Sequence, residues 1–209
     1  MKEQNIGLYL GSFDPVHRAH IDIPCKIKDH YDLEKIIFVP TSKSPIGRKF
    51  FASYSDRVNM IKNAIKGHEF FSVSTFENTS ENISFTIDTV YYFKKKFKSR
   101  SLRIIMGEDN FYSFTSWHKY ADILSSVNII VLSRDNIERY GKIDVLKKYI
   151  EENINLFNQA KSGKIHFSTP HKSDISATTL RQLIKQDESF KNYVSKENCE
   201  YIVKNGLYK

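Results

Sequence analysis

Apolar residues in this chain fall into short unbroken runs, separated by stretches in which they recur every third or fourth position. The run Ile6-Gly7-Leu8-Tyr9-Leu10 predicts a first strand, ending at Gly11-Ser12-Phe13-Asp14-Pro15. Lys35-Ile36-Ile37-Phe38-Val39 predicts a second, closed by Pro40. Residues 70–74, 102–106 and 127–132 predict three more, and 164–168 a weaker sixth. Between them the pattern changes to helical spacing. A helix is expected from about Val16, with Pro24 kinking it or forcing an irregular turn because proline lacks the amide donor. Another carries Val58, Ile61, Ala64 and Ile65 behind a Ser55 cap, and another spans 86–97 with Ile87, Val90 and Tyr91 on one face. Further helices are expected over 140–150, 178–185 and 196–204. Strands that are apolar throughout, alternating with helices, imply an α/β fold with a doubly wound, Rossmann-like parallel sheet covered on both faces.

With 209 residues and 40% hydrophobic content, the chain has the size and apolar content of a single domain over 1–209. The part from about 170 to 209 reads as helical. No apolar run approaches the ~20 residues needed to span a bilayer, and the first residues lack the apolar core of a signal peptide, so a cytoplasmic location is expected. Cys25 and Cys199 form no metal or redox spacing. The net charge of +8 favours an anionic partner, which nucleic acid and a polyphosphate substrate both satisfy. The run Lys94-Lys95-Lys96-Phe97-Lys98 reads as the solvated end of a helix, where lysines complement the dipole.

In doubly wound sheets ligands bind beyond the carboxyl ends of the strands, so the turns after the strands carry the candidate chemistry. The first turn, Gly11-Ser12-Phe13-Asp14-Pro15-Val16-His17-Arg18-Ala19-His20, is neither a Walker loop nor a Gly-x-Gly-x-x-Gly turn. Gly11 permits close backbone approach to a ligand. His17 and His20, three apart, share one face of a first helical turn. A solvated helix start and a phosphate site both fit them, and the spacing does not suit zinc. In Asp174-Ile175-Ser176-Ala177-Thr178-Thr179-Leu180-Arg181, helix capping explains the hydroxyls as well as phosphate binding does. In that second reading, Arg181 grips phosphate oxygens beside the helix amides.

The first turn resembles the Gly-x-Phe-x-Pro-x-His-x-Gly-His signature of the nucleotidyltransferase superfamily, with Ala19 where the family has Gly and Leu10 where many members have a second Gly. The late segment resembles that superfamily's Ile-Ser-Ser-Thr-x-Ile-Arg motif, with Ala177 in place of the second Ser. Ser84-Phe85-Thr86-Ile87-Asp88-Thr89 is similar to a Ser-Tyr-Thr-x-Asp-Thr segment of pyridine-nucleotide adenylyltransferases. Arg103 to Asn110 resembles their Gly-Ala-Asp segment with Glu108 replacing Ala, and Trp117 sits where they place a ring-stacking aromatic. The end of the chain, Tyr201-Ile202 through Gly206-Leu207-Tyr208, is similar to theirs as well. Together these identify the chain as similar to nicotinate-nucleotide adenylyltransferases along essentially its whole length. In place of the family's Pro-Pro-His-Lys loop it has a basic segment over 40–49.

That resemblance implies transfer of AMP from ATP to nicotinic acid mononucleotide, giving nicotinic acid adenine dinucleotide and pyrophosphate, in NAD biosynthesis. His17, His20 and Arg181 are the expected catalytic residues. Gly11, Ser12, Phe13, Gly107, Asp109, Arg134, Ser176 and Thr178 are expected on the ATP side, and Thr86 and Trp117 at the pyridine. Mg²⁺ is expected to arrive bridged by ATP oxygens, with no metal ligands in the protein. Neither nucleic acid nor membrane is an expected partner, and a homo-oligomer is compatible with all of this. Nicotinamide mononucleotide or another phosphorylated acceptor is the alternative substrate. A nucleotide sensor without turnover and a basic nucleic-acid module are the alternatives of other classes.

Overall fold

A computed structural model describes residues 5–44, 47, 49–78, 85–98, 100–133, 144–169, 175–186 and 189–209. Six strands form one parallel sheet: β1 (Asn5–Gly11), β2 (Leu33–Pro40), β3 (Phe71–Val73), β4 (Leu102–Gly107), β5 (Asn128–Leu132) and β6 (Ile165–Phe167). Their order is β3-β2-β1-β4-β5-β6. The chain winds outward from β1 to β3 and then returns across to β4, so the reversal of strand order falls between β1 and β4. Ligands of doubly wound sheets bind at that reversal, beyond the carboxyl ends. Gly11 and Gly107 stand there, each two residues past the paired Tyr9 and Ile105.

Side chains on a strand alternate between faces, and the core divides accordingly. Tyr9, Ile36, Phe38, Ile105 and Ile130 face one layer; Leu8, Leu10, Ile37, Val39, Ile104, Met106, Ile129 and Val131 face the other. The first layer is closed by α1 (Ala19–Ile27), α2 (Tyr54–Ala64), α6 (Ile154–Gln159), α7 (Ala177–Lys185) and α8 (Lys196–Lys204), through Ile27, Ile61, Phe157, Leu180 and Ile202. The second is closed by α3 (Thr86–Lys96), α4 (Glu108–Tyr112) and α5 (Tyr120–Ser126), through Ile87, Val90, Phe93, Phe111 and Ile123. Burial of both faces explains why the strands read as continuous apolar runs.

Several boundaries differ from the sequence reading. The first helix begins at Ala19 rather than near Val16, because Pro15, Val16 and His17 are used in the turn. It runs on through the buried Pro24, whose own carbonyl accepts from Lys28. The cap of α2 is Ser53, which accepts from the amide of Asp56, and not Ser55, which lies inside the helix. Residues 140–143 of the expected 140–150 helix lie outside the described residues; Asp144–Tyr149 is a 3-10 helix. The short helices α4, α5 and α6 have no counterpart in the sequence reading. Each is at most seven residues long, too short to display a helical period.

Candidate active site

The turn after β1 is shaped by aromatic packing. Phe13 has φ +49°, uncommon for a residue with a side chain, and its ring is 2% exposed. That ring stands edge-on to Tyr9 and to His20, at centroid separations of 5.3 and 5.2 Å, and also meets Phe38. A methyl added at Gly11 would lie 3.0 Å from the Phe13 ring. Glycine at this position therefore makes room for Phe13, a role sequence reasoning had given to a ligand. The Asp14–Pro15 peptide that follows is cis.

His17 lies just before α1 and His20 in its first turn, with ring centroids 3.7 Å apart. The backbone amide of His17 donates to Nδ1 of His20 at 3.1 Å, and the amide of His20 donates to the His17 carbonyl at 2.8 Å. Accepting at Nδ1 puts the proton of a neutral His20 ring on Nε2, which makes that nitrogen the donor. The two imidazoles share one face, as their spacing predicted, although His17 precedes the helix.

The second motif meets the first. Ser176 caps α7, its hydroxyl accepting from the amide of Thr179 and lying 2.8 Å from the Thr179 hydroxyl. The capping reading of Ser176 thus describes a real contact. Arg181, one turn further on, donates to the main-chain carbonyl of Asp14 at 2.7 Å and to the Thr178 hydroxyl at 3.2 Å. Residues 167 positions apart are thereby joined at the carboxyl end of β1. Asp174 lies outside the described residues, as does Arg134.

Three buried side chains that the sequence reading passed over hold this junction. Asp14, 3% exposed, accepts at its carboxylate from the amides of Phe51 and Ala52 and from the Tyr208 hydroxyl. Arg57, 1% exposed, donates to the carbonyls of Ser12 and Thr41, both at 2.8 Å, so the β1 and β2 turns share one guanidinium. Burial lowers its pKa, while Asp14 opposes that shift. Glu77 accepts from the Thr89 hydroxyl in the first turns of α3 and from the amide of Ser42. Burial pushes its carboxyl up to about 7, with those two hydrogen bonds pulling the other way. Burial and then the neighbouring Asp14 carboxylate push the Tyr208 phenol far above its usual range, which keeps it a neutral donor. Asp14 before a proline reads as an ordinary turn residue. Arg57 carried a visible signal, a cation directly before Val58 on the apolar stripe of α2.

At the other side of the strand reversal, β4 ends at Gly107, where an added methyl would meet nothing within 4 Å. Asp109 is exposed in the α4 turn that follows, and Glu108 accepts from the Ser133 hydroxyl at 2.6 Å, tying the β4 and β5 turns together. Thr86 opens α3, where the Asp88 carboxylate accepts from the amide of Phe85. The Phe85 ring lies 4.5 Å from that of His118, which brings the start of α3 beside Trp117. Trp117 is half-buried, edge-on to Phe114, with its indole N–H directed at Ser113. Among the described residues, no three His, Cys, Asp or Glu side chains converge as a metal site. No helix among them is long and apolar enough to cross a membrane.

The model of the family described as Cytidylyltransferase-like matches residues 8–183. A protein of Aquifex aeolicus named "Probable nicotinate-nucleotide adenylyltransferase" is 36% identical over 80% of this chain and 96% of its own length. One of the same name from Caldicellulosiruptor bescii is 32% identical over 98% of each chain. Among solved structures, the fold is similar to that of Plasmodium falciparum nicotinic acid mononucleotide adenylyltransferase complexed with NaAD. There the TM-score is 0.76, at 21% identity, over 98% of this chain and 97% of that one.

Proposed function

Since the chain belongs to the nicotinate-nucleotide adenylyltransferases within the Cytidylyltransferase-like family, we infer that it transfers AMP from ATP to nicotinic acid mononucleotide, releasing pyrophosphate, in NAD biosynthesis. The observation that best supports the reading is the junction of the two phosphate motifs, with Arg181 hydrogen-bonded to Asp14 beside the paired His17 and His20. Residues 1–209 are taken as one domain, since Leu180, Ile184 and Ile202 near the end pack into the same core layer as Tyr9 and Phe38.

The chemistry asked of the protein is modest. The attacking phosphate is anionic at neutral pH, so neither a protein base nor a covalent intermediate is required. Catalysis then rests on alignment and on stabilising charge at the α-phosphorus and the departing pyrophosphate. His17 and His20 serve the transferring and leaving phosphates, with Nε2–H of His20 as a donor. Arg181, Ser176 and Thr178 take the β- and γ-phosphates. The guanidinium keeps further N–H donors beyond those it gives to Asp14 and Thr178. Gly11, Ser12 and Phe13 form the floor through backbone, Gly107 and Asp109 take the ribose region, and Arg134 is assigned to the ATP side. Mg²⁺ would come bound to ATP and would supply positive charge where negative charge builds, with no residue of this chain assigned to hold it. The reading needs neither nucleic acid nor a membrane, is compatible with a homo-oligomer, and places the enzyme in the cytoplasm.

Thr86 and Trp117 are assigned to the pyridine. Trp117 stacks on acid and amide rings alike, so the choice between them falls to the start of α3. Asp88 already takes the Phe85 amide there, which leaves the amides of Thr86 and Ile87 to meet the nicotinate carboxylate. The acid is therefore expected to exceed the amide in kcat/KM by about tenfold or more, or about 1.4 kcal/mol in the transition state. In Trp117→Ala both substrates should weaken with that ratio retained. Equal rates for acid and amide in the wild-type enzyme would refute the carboxylate-tuned site, and a lost ratio in Trp117→Ala would refute the division of roles.

A further inference from the structure

Two adjacent aromatics in the segment after β2 each carry an arginine of the site. The Arg57 guanidinium lies 4.1 Å from the centroid of the Phe50 ring, and that of Arg181 lies 4.3 Å from the centroid of Phe51. Phe50 is half-buried, as befits a ring against the buried Arg57. Phe51 is 69% exposed, the most exposed of the large apolar side chains among the described residues. A phenylalanine so placed gains little from burial, so the contact that accounts for it is the one with Arg181. The backbone of the same residue is held firmly. Its amide donates to the Asp14 carboxylate at 2.7 Å, and that carboxylate is also held by the Ala52 amide and the Tyr208 hydroxyl.

Among the described residues, both contacts that fix Arg181 from outside its own helix therefore trace back to one residue. Asp14 supplies the carbonyl that receives the guanidinium, and its carboxylate anchors the backbone under the Phe51 ring. Tyr208 locks that carboxylate from the far end of the chain, where φ values of +59° at Gly206 and +66° at Tyr208 turn the backbone back on itself. We propose that Phe51 is a positioning residue that presents Arg181 to the ATP phosphates, and that Tyr208 sustains this arrangement through Asp14. Stacking on an aromatic face leaves the guanidinium edge, with its N–H donors, available to oxygens in the ring plane. Arg181 then pays less side-chain entropy on binding, because its rotamer is already chosen. The proposal rests on the assignment of Arg181 to ATP made above and does not depend on which acceptor is used.

The test is ATP binding by calorimetry without any acceptor, followed by steady-state kinetics with nicotinic acid mononucleotide. Phe51→Leu keeps an apolar side chain at an exposed position but removes the ring. It is expected to raise the Kd for ATP about fivefold, the scale of one partly exposed cation–π contact. Phe51→Trp should stay within about twofold of wild type, since indole presents the better face. The KM for the mononucleotide should move by less than about twofold in either, because Arg181 grips only ATP in this account. In an Arg181→Met background, Phe51→Leu and Tyr208→Phe should each add nothing further, since the group they position is gone. An unchanged ATP Kd in Phe51→Leu, or a full additive effect in the Arg181→Met background, would overturn the proposal. Should wild-type protein bind ATP and respond to Phe51→Leu yet make no dinucleotide, the acceptor reading fails and this inference stands.

Discussion

Replacing His20 with alanine is expected to lower kcat by about 10² or more, the scale of removing one preorganised donor from developing charge. The structure supplies a competing explanation for such a loss, because Nδ1 of His20 also accepts from the amide of His17 and so braces the turn. His20→Asn separates the two. An asparagine Oδ1 lies about where Nδ1 does and can accept from the same amide, but the side chain has nothing in the place of Nε2–H. Both variants should lose the same large factor in kcat, with thermal midpoints close to wild type in His20→Asn. Turnover recovered in His20→Asn would assign His20 to the turn rather than to phosphate. His17→Ala is expected to fall by a similar factor, since its ring lies 3.7 Å from that of His20 over the same face.

The largest effect on stability is expected at Asp14. Alanine there removes a buried carboxylate that satisfies two backbone amides and a phenol, and those donors would be left in a site without compensation. Hydrogen bonds to a charged group are worth about 1.5–3 kcal/mol each, so a loss of at least about 3 kcal/mol is expected. For a chain of this size that corresponds to a fall of about 10 °C in thermal midpoint. Asp14→Asn keeps one carbonyl oxygen and should fall by less. Differential scanning calorimetry of the two variants checks the order. A midpoint unchanged in Asp14→Ala would mean that the Phe51–Ala52 segment and the chain end hold themselves in place without it.

The sheet was legible because its central strands are buried on both faces and therefore spell apolar runs, as β5 does from Asn128 to Leu132. The two motifs were legible because their residues are local in the chain, with His17 and His20 three apart and Ser176 five residues before Arg181. What holds those motifs together was not. Asp14 meets Tyr208 across 194 positions, Arg57 meets Ser12 across 45, and Glu77 reaches back 35 to Ser42. Pairings of that kind are set by tertiary packing and leave no periodic trace. Gly11 shows the same limit in another form. Its motif puts it in the turn after β1, yet the atoms that demand a glycine belong to Phe13 two residues on, held at positive φ by a ring packed among Tyr9, His20 and Phe38. The loop over 40–49 departs from the family pattern, yet its first residues are tied to the same turn. Thr41 donates to the Gly11 carbonyl, and Ser42 is tethered to Glu77, which also holds α3. The turns after β1 and β2 and the start of α3 are in this way linked through a carboxylate that neither motif contains.

Identification of the products tests the central claim most directly. Purified protein would be supplied with ATP, Mg²⁺ and nicotinic acid mononucleotide, and the nucleotides separated and weighed by mass spectrometry while pyrophosphate is measured in parallel. The account predicts nicotinic acid adenine dinucleotide and pyrophosphate in equal amounts, with the rates of both falling together by about 10² in His20→Asn. Formation of ADP and phosphate, or pyrophosphate without dinucleotide, would contradict it.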